Sequence, residues 1–158
     1  MVEIRRIRAD EYDFLWKMLH QAIYSPAQIL PESIVYEPSL ARYAASFGKN
    51  GDYGFVLSAD SRLVGAAWTR LLTGSSRGYG FVDESTPELS MAIEPIFRGK
   101  GYGQELVSKL IKELQDHGYA QLSLSVHKQN RAINLYQRLG FKVVCEDKTT
   151  YTMLKKIE

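Results

Sequence analysis

Apolar positions change their spacing several times along the chain, and each change marks an element. From Met1 to Ile7 the alternation is weak, with Val2 and Ile4 set against Glu3 and Arg5, as in an outer strand. Phe14, Leu15, Met18, Leu19, Ala22 and Ile23 then recur on one helical face, with Asp10 as the candidate cap and Ser25-Pro26 as the break. Pro38 suits the first turn of a second helix, in which Leu40, Tyr43, Ala44 and Phe47 share a face up to Gly48. The stretch YGFVLSADSRLVGAAWTRLL, beginning at Tyr53, reads as two β-rich runs joined by a short Ala59-Asp60-Ser61 turn. A glycine- and serine-rich segment follows from Thr73 to Pro87. Loops of that length inside compact domains tend to be functional or mobile.

The second half is more regular. Leu89, Met91 and Ile93 alternate with Glu88, Ser90 and Ala92, a strand pattern leading into FRGKGYG at Phe97 to Gly103. A helix is expected from Gln104, with Leu106, Val107, Leu110, Ile111 and Leu114 as its apolar stripe and Gly118 as its stop. Ala120, Leu122, Leu124 and Val126 alternate with Gln121, Ser123 and Ser125, the cleanest period-two signal in the chain. Asn130 opens a short helix with Ala132, Ile133, Tyr136 and Leu139 inward and Gly140 at its end. FKVVCED and TYTMLKKI then close as a strand pair. Strand, helix, strand, helix between Glu88 and Leu139 requires a crossover and at least one parallel pair, so the fold is α/β with a mixed sheet.

Composition narrows the classes. With 45% hydrophobic and 24% charged residues, the 158 positions suit a single domain, 1–158, with a sizeable core. No repeat or linker divides it. A formal charge of only +2 announces no polyanion, and nucleic acid is not expected as a partner. Cys145 is the lone cysteine, which excludes an internal disulfide and a cysteine-based zinc cluster and predicts a reducing, cytoplasmic setting. MVEIRRIRAD has no apolar core of signal-peptide length, and no later run approaches the ~20 residues that span a bilayer.

Candidate chemistry gathers at FRGKGYG. Glycine weakens regular structure, so three at alternate positions call for a local cause. They fall between a strand end and the first turn of a helix, where unpaired N–H groups and the helix dipole favour an anion and bare backbone lets a phosphate approach. Arg98 and Lys100 reinforce the field. A tight strand-to-helix turn with solvated cations is the plain alternative, and glycine spacing alone leaves both open. The dinucleotide fingerprint fails because Leu106 stands where glycine or alanine is required, and no G-x-x-x-x-G-K-[ST] string occurs.

These residues resemble the GNAT superfamily of acyl-CoA-dependent N-acetyltransferases, whose phosphate loop reads Arg or Gln, two residues, Gly, one residue, then Gly or Ala. Arg98, Gly101 and Gly103 match it. ELSMAIEPIFRGKGYG is similar to the family's central strand and loop, and NRAINLYQRLGF to its later helix, with Asn130, Ala132, Tyr136, Gly140 and Phe141 in the expected places. The motif-level match covers Glu88 to Phe141; the first half agrees only in element order. The resemblance implies a GNAT fold, with a mixed central sheet of six to seven strands and about four helices. It implies acetyl-CoA as co-substrate, with the pyrophosphate of coenzyme A on backbone N–H groups of Gly99, Lys100, Gly101, Tyr102, Gly103 and Gln104. Its pantetheine arm would run beside Met91 and Ile93, where the central strand and its parallel neighbour, Leu122 to Val126, splay apart. A neutral amine would attack the thioester directly, and a strand N–H near Met91 would meet the developing oxyanion.

The resemblance makes Tyr136 the proton donor to the departing thiolate and lets Asn130 touch the pantetheine arm while capping its helix. Without it, Tyr136 would read as an amphipathic tyrosine packed at helical spacing. No residue is uniquely marked as base. Glu88 is the candidate, directly or through a water, with Asp83 or Glu84 assisting, although each carboxylate by itself reads as a solvated surface group. His20 and His117 read as surface or boundary residues, His127 ends a cleft-lining strand, and no metal site is visible. Cys145 reads as a small packed side chain.

One branch of the family, which acetylates the N-terminus of a ribosomal protein, carries a glutamate in a stretch like LEVR where this chain has LSVH, with Ser125 in its place. Acceptor choice is therefore expected from the first half. There Tyr24, Tyr36, Trp68, Tyr79 and Phe81 could wall a pocket, and Asp83, Glu84 and Glu88 could attract a cation, although most of these aromatics also suit core or turns. A small-molecule amine is the leading acceptor. A peptide or protein amine and a non-catalytic acyl-CoA-binding module remain as alternatives. Neither membrane nor nucleic acid is expected as a partner, and the protein is expected to be a monomer or a homodimer.

Overall fold

Every period-two stretch is a strand in the computed structural model, which describes residues 1–157. The strands are β1 (Val2–Arg6), β2 (Tyr53–Ala59), β3 (Arg62–Arg70), β4 (Glu88–Ile93), β5 (Gln121–His127), β6 (Lys142–Glu146) and β7 (Thr150–Lys156). The helices are α1 (Phe14–Ala22), α2 (Pro38–Ala41), α3 (Tyr102–Asp116) and α4 (Ala132–Arg138). Strand order is β1-β2-β3-β4-β5-β7-β6, and every neighbouring pair is antiparallel except β4 and β5. The mixed sheet follows from the α3 crossover, as the element order requires.

The two faces of the sheet are filled differently. On one, Leu106, Val107, Leu110 and Leu114 of α3 are fully buried against Leu57, Leu89, Leu122, Leu124 and Met153. Each such side chain contributes about 2 kcal/mol of transfer free energy. On the other, Leu15 and Met18 of α1 pack with Val35, Tyr43, Val56, Ala66 and Trp68. Alternation along β4 and β5 places Leu89, Met91, Leu122 and Leu124 with the α3 core and turns Glu88, Ser90, Ser123, Ser125 and His127 toward the α1 side. The α1 side is thus apolar over β2 and β3 and polar over β4 and β5.

Several boundaries differ from the sequence expectation. Asp10 lies in a 3-10 turn, Ala9–Glu11, and is not the cap of α1. The second helix ends at Ala41, and Tyr43, Ala44 and Phe47 are buried from a succession of turns up to Gly48. What stops the helix early is visible on β3. The Arg70 guanidinium, 7% exposed, pairs with Asp52 at 3.2 Å and donates to the carbonyls of Arg42, Ala45 and Ser46, which a continued helix would have used itself. Cys145 is exposed on edge strand β6, a correction to its reading as a packed side chain. Among the described residues, no helix is long and apolar enough to cross a membrane.

Candidate active site

The parallel pair opens almost as soon as it forms. β4 is laddered to β3 along its whole length and β5 to β7 along its own, but β4 and β5 pair only at Glu88↔Ser123. One further bond, Ser123 N to Pro87 O at 3.0 Å, closes that end. Beyond it the inner edges of both strands carry main-chain groups with no strand partner.

The open end of the split points at the glycine turn. Gly99 and Gly101 have φ of +75° and +87°, a region costly for any residue with a Cβ, and open space lies around both. Gly101 immediately precedes α3, and its carbonyl takes the N–H of Glu105 at 3.2 Å. The N–H groups of residues 99–104 have no acceptor among the described residues. Arg98 ties the turn to the strand, its Nε donating to Ile93 O at 2.7 Å, while Lys100 and Gln104 are exposed. Gly103 is buried. A Cβ there would lie 3.1 Å from Leu135 and 3.4 Å from the Met91 sulfur, so its bareness brings β4, α3 and α4 together. Positive partial charge at the start of α3 therefore stands at the mouth of the split.

Tyr136 on α4 is 7% exposed and belongs to the α3-side core, its ring edge-on to Phe141 at 5.7 Å. Its hydroxyl has no hydrogen-bond partner among the described residues, and burial pushes its pKa up to about 12. Asn130 precedes α4, and its Oδ1 accepts the Ala132 N–H at 2.9 Å, so the residue caps that helix.

Glu88 is 4% exposed, not the solvated group that its type alone suggested. Burial raises its carboxyl to about 7, against the opposing pull of the Tyr43 hydroxyl, the Gly80 N–H and the Arg42 charge. Tyr43 donates to Oε2 at 2.5 Å, whereas Oε1 and the hydroxyl of the register partner Ser123 have no partner. The loop Thr73 to Pro87 is tied down over this spot. Tyr79 N–H donates to the Tyr43 hydroxyl, and Gln121 holds Asp83 and Thr86. Gly78 and Gly80 pass so close that a Cβ would lie 2.1 Å from Glu88 Oε1 and 2.7 Å from the Leu124 carbonyl carbon, respectively.

Other expected pocket residues divide. Trp68 is core, fully buried with Nε1 donating to Tyr43 O, and it walls no pocket. Tyr36 and Tyr79 are exposed, Tyr36 against Trp16, and Phe81 lies under the Arg77 guanidinium. Tyr24 stacks on His127 at 4.6 Å beside the serines of β4 and β5. Asp83 turns to Ser85, Thr86 and Gln121, and Glu84 pairs with Arg77 at 3.5 Å, so neither lies against Glu88. His20 approaches Leu30 O and His117 stacks on Tyr53. Sequence reasoning placed Tyr43 on a core face and missed its bond to Glu88, 45 positions away; the glycines of RGYG were the only local hint of a close approach. No metal-binding cluster exists among the described residues.

A sheet split beside a glycine turn that opens a helix is the arrangement that the family resemblance implied. The chain belongs to the acetyltransferase (GNAT) family, which matches it over residues 3–141. A ribosomal-protein alanine N-acetyltransferase of Salmonella typhimurium is 35% identical over 98 residues, 60% of this chain and 60% of that protein. An L-amino acid N-acyltransferase of Escherichia coli is 39% identical over 62 residues, 39% of this chain and 36% of that one. The chain thus matches less than two thirds of either relative's length. The PaiA N-acetyltransferase of Thermoplasma acidophilum, solved in complex with coenzyme A, shares the fold with a TM-score of 0.70 and 22% identity, covering 99% of both chains.

Proposed function

We propose that the protein transfers an acetyl group from acetyl-CoA to the primary amine of a small molecule, by direct attack in a ternary complex. The observation that carries this reading is the single-pair split between β4 and β5, opening onto unpartnered N–H groups at the start of α3. The pyrophosphate of coenzyme A lies on residues 99–104, flanked by Arg98 and Lys100, and the pantetheine amides pair with the free inner edges near Met91, Ile93 and Asn130. Acetyl-CoA supplies the activated acyl group; the chain orients and moves protons.

Glu88 takes a proton from the ammonium form of the acceptor through a water, for which Gly78 must shift slightly off Oε1. The free amine attacks the thioester carbon, and a β4 N–H near Met91 stabilises the oxyanion. The carbon–sulfur bond breaks, Tyr136 gives its proton to the thiolate, the new amide nitrogen loses its extra proton to solvent, and Glu88 then releases its proton to solvent while Tyr136 regains one from it. A small acceptor is favoured by the tethering of the Thr73 to Pro87 loop, which narrows the α1 side of the split. A peptide amine is the second reading, favoured by the likeness to the ribosomal-protein enzyme. The free, exposed thiol of Cys145 accords with a reducing, cytoplasmic setting.

Thiol release from acetyl-CoA, followed across small amines, polyamines, amino acids and peptides, tests the reading. Turnover of at least one small amine is expected, with a loss of 100-fold or more in Glu88→Gln. Turnover of peptides alone would replace the small-molecule acceptor, and tight binding of ATP or NAD in preference to acetyl-CoA would end the reading altogether.

A further inference from the structure

We propose that Tyr43 is a positioning residue for Glu88: its phenol fixes the carboxylate's orientation and favours its ionised form, and the backbone at Gly78 to Gly80 completes the clasp. The inference rests on Glu88 as base for its catalytic consequence, but not for its structural content.

The direction of the Tyr43 hydrogen bond is determined by its neighbours. The phenol accepts the Tyr79 N–H at 2.7 Å, so its single proton is left for Glu88 Oε2 at 2.5 Å. Burial together with the neighbouring carboxylate raises the phenol's pKa far above its usual value, so it stays a donor at any working pH. Its backbone is held in turn, because the fully buried Trp68 donates Nε1 to Tyr43 O at 2.8 Å. The Gly80 N–H lies near enough to favour the charged carboxylate as well, without forming a hydrogen bond to it. Both groups serve the charged form, and Oε1 is left without a partner, as is the hydroxyl of the register partner Ser123. The clasp therefore leaves one oxygen free to receive a proton.

The groups around Glu88 are few. Arg42 stands at the end of α2, its own guanidinium donating to the carbonyls of Pro38 and Arg77. Arg70 is the register partner on β3, but its charge is spent on Asp52 and three carbonyls. β5 presents the Ser123 hydroxyl, and the loop presents Tyr79, whose side chain is largely exposed. Among these, Tyr43 alone donates a side-chain hydrogen bond to the carboxylate.

Removing the phenol proton with Tyr43→Phe withdraws a charge-assisted bond from the ionised form. The acid limb of kcat/KM, expected near pH 7 in the wild type, should move up by about one to two pH units. Activity on the plateau above the limb should fall several-fold as the carboxylate loses its fixed orientation, the affinity for acetyl-CoA should hold, and Glu88 followed by carboxyl-carbon NMR in the free protein should titrate upward in step. A limb and titration that stay in place, whatever the loss of activity, overturn the inference. If Tyr43→Phe fails to fold, Gly78→Ala serves, since its methyl is forced between Oε1 and the phenol. The same upward displacement is expected, and a wild-type profile overturns the proposal. Full activity in Glu88→Gln would instead overturn the base assignment, leaving the NMR titration to decide whether Tyr43 governs the carboxylate.

Discussion

Tyr136 and Glu88 obtain their properties from burial, yet burial acts on them in different ways. A phenol near 12 with no internal partner keeps its proton until a stronger base than solvent arrives, which the proposed leaving thiolate would be. Tyr136→Phe keeps the ring and its contact with Phe141. It should lower kcat by about 10- to 100-fold while acetyl-CoA affinity, read by calorimetry, holds; unchanged turnover would remove Tyr136 from the proton path. Glu88 was legible as the first residue of a strand but not as a buried one, because its neighbours Tyr43, Gly78 and Gly80 come from segments that the alternation of β4 does not mention. Trp68 and Cys145 erred in opposite senses for one reason. Residue type suggests a habit, whereas exposure depends on which side of a particular strand is covered: β3 is central and β6 is an edge.

At the scale of elements, period and punctuation were informative. The spacing of Leu106, Val107, Leu110 and Leu114 gives the buried stripe of α3, whereas the helix starts at Tyr102, two residues before the expected Gln104. The second helix, Pro38–Ala41, is shorter than its apolar spacing suggests, because a spacing of three and four residues is shared by a helix and by successive turns wrapped on a core, and the Arg70 contacts favour the turns. The start of α3 also carries a direct test. Gly101→Val places a branched side chain at φ +87°, costing on the order of 1–2 kcal/mol of stability and tilting the N–H groups that follow. Binding of acetyl-CoA should weaken about tenfold or more while the protein remains folded by circular dichroism. Full affinity in a folded variant would show that the diphosphate is not held there.

Across the whole molecule, the site works against the stability of the fold. A carboxyl that moves from 4.5 when unfolded to about 7 when folded binds more protons in the native state over that interval. Its effect on stability is therefore unfavourable as pH rises from about 4.5, and it is complete once pH passes about 7. Glu88→Gln removes the buried charge, so urea denaturation at pH 8 should find the variant more stable than wild type by about 3 kcal/mol at most. The difference should shrink toward pH 5, where the native carboxyl is already neutral. A variant less stable at pH 8 would mean that the hydrogen bond from Tyr43 and the nearby Gly80 N–H outweigh the desolvation of the charge.

The sequence by itself determined the strands of the second half, the glycine turn, the apolar stripe of α3 and, through Arg98, Gly101, Gly103 and the NRAINLYQRLGF stretch, the family. These depend on neighbours a few positions apart, which one strand or one helical turn brings together. The tertiary structure decided how far β4 and β5 stay paired, which side of the sheet is polar, and the meeting of Tyr43, Gly78, Gly80 and Ser123 around Glu88. Such contacts join residues on separate elements, and their energies depend on desolvation and close approach, which exist only once the chain has packed.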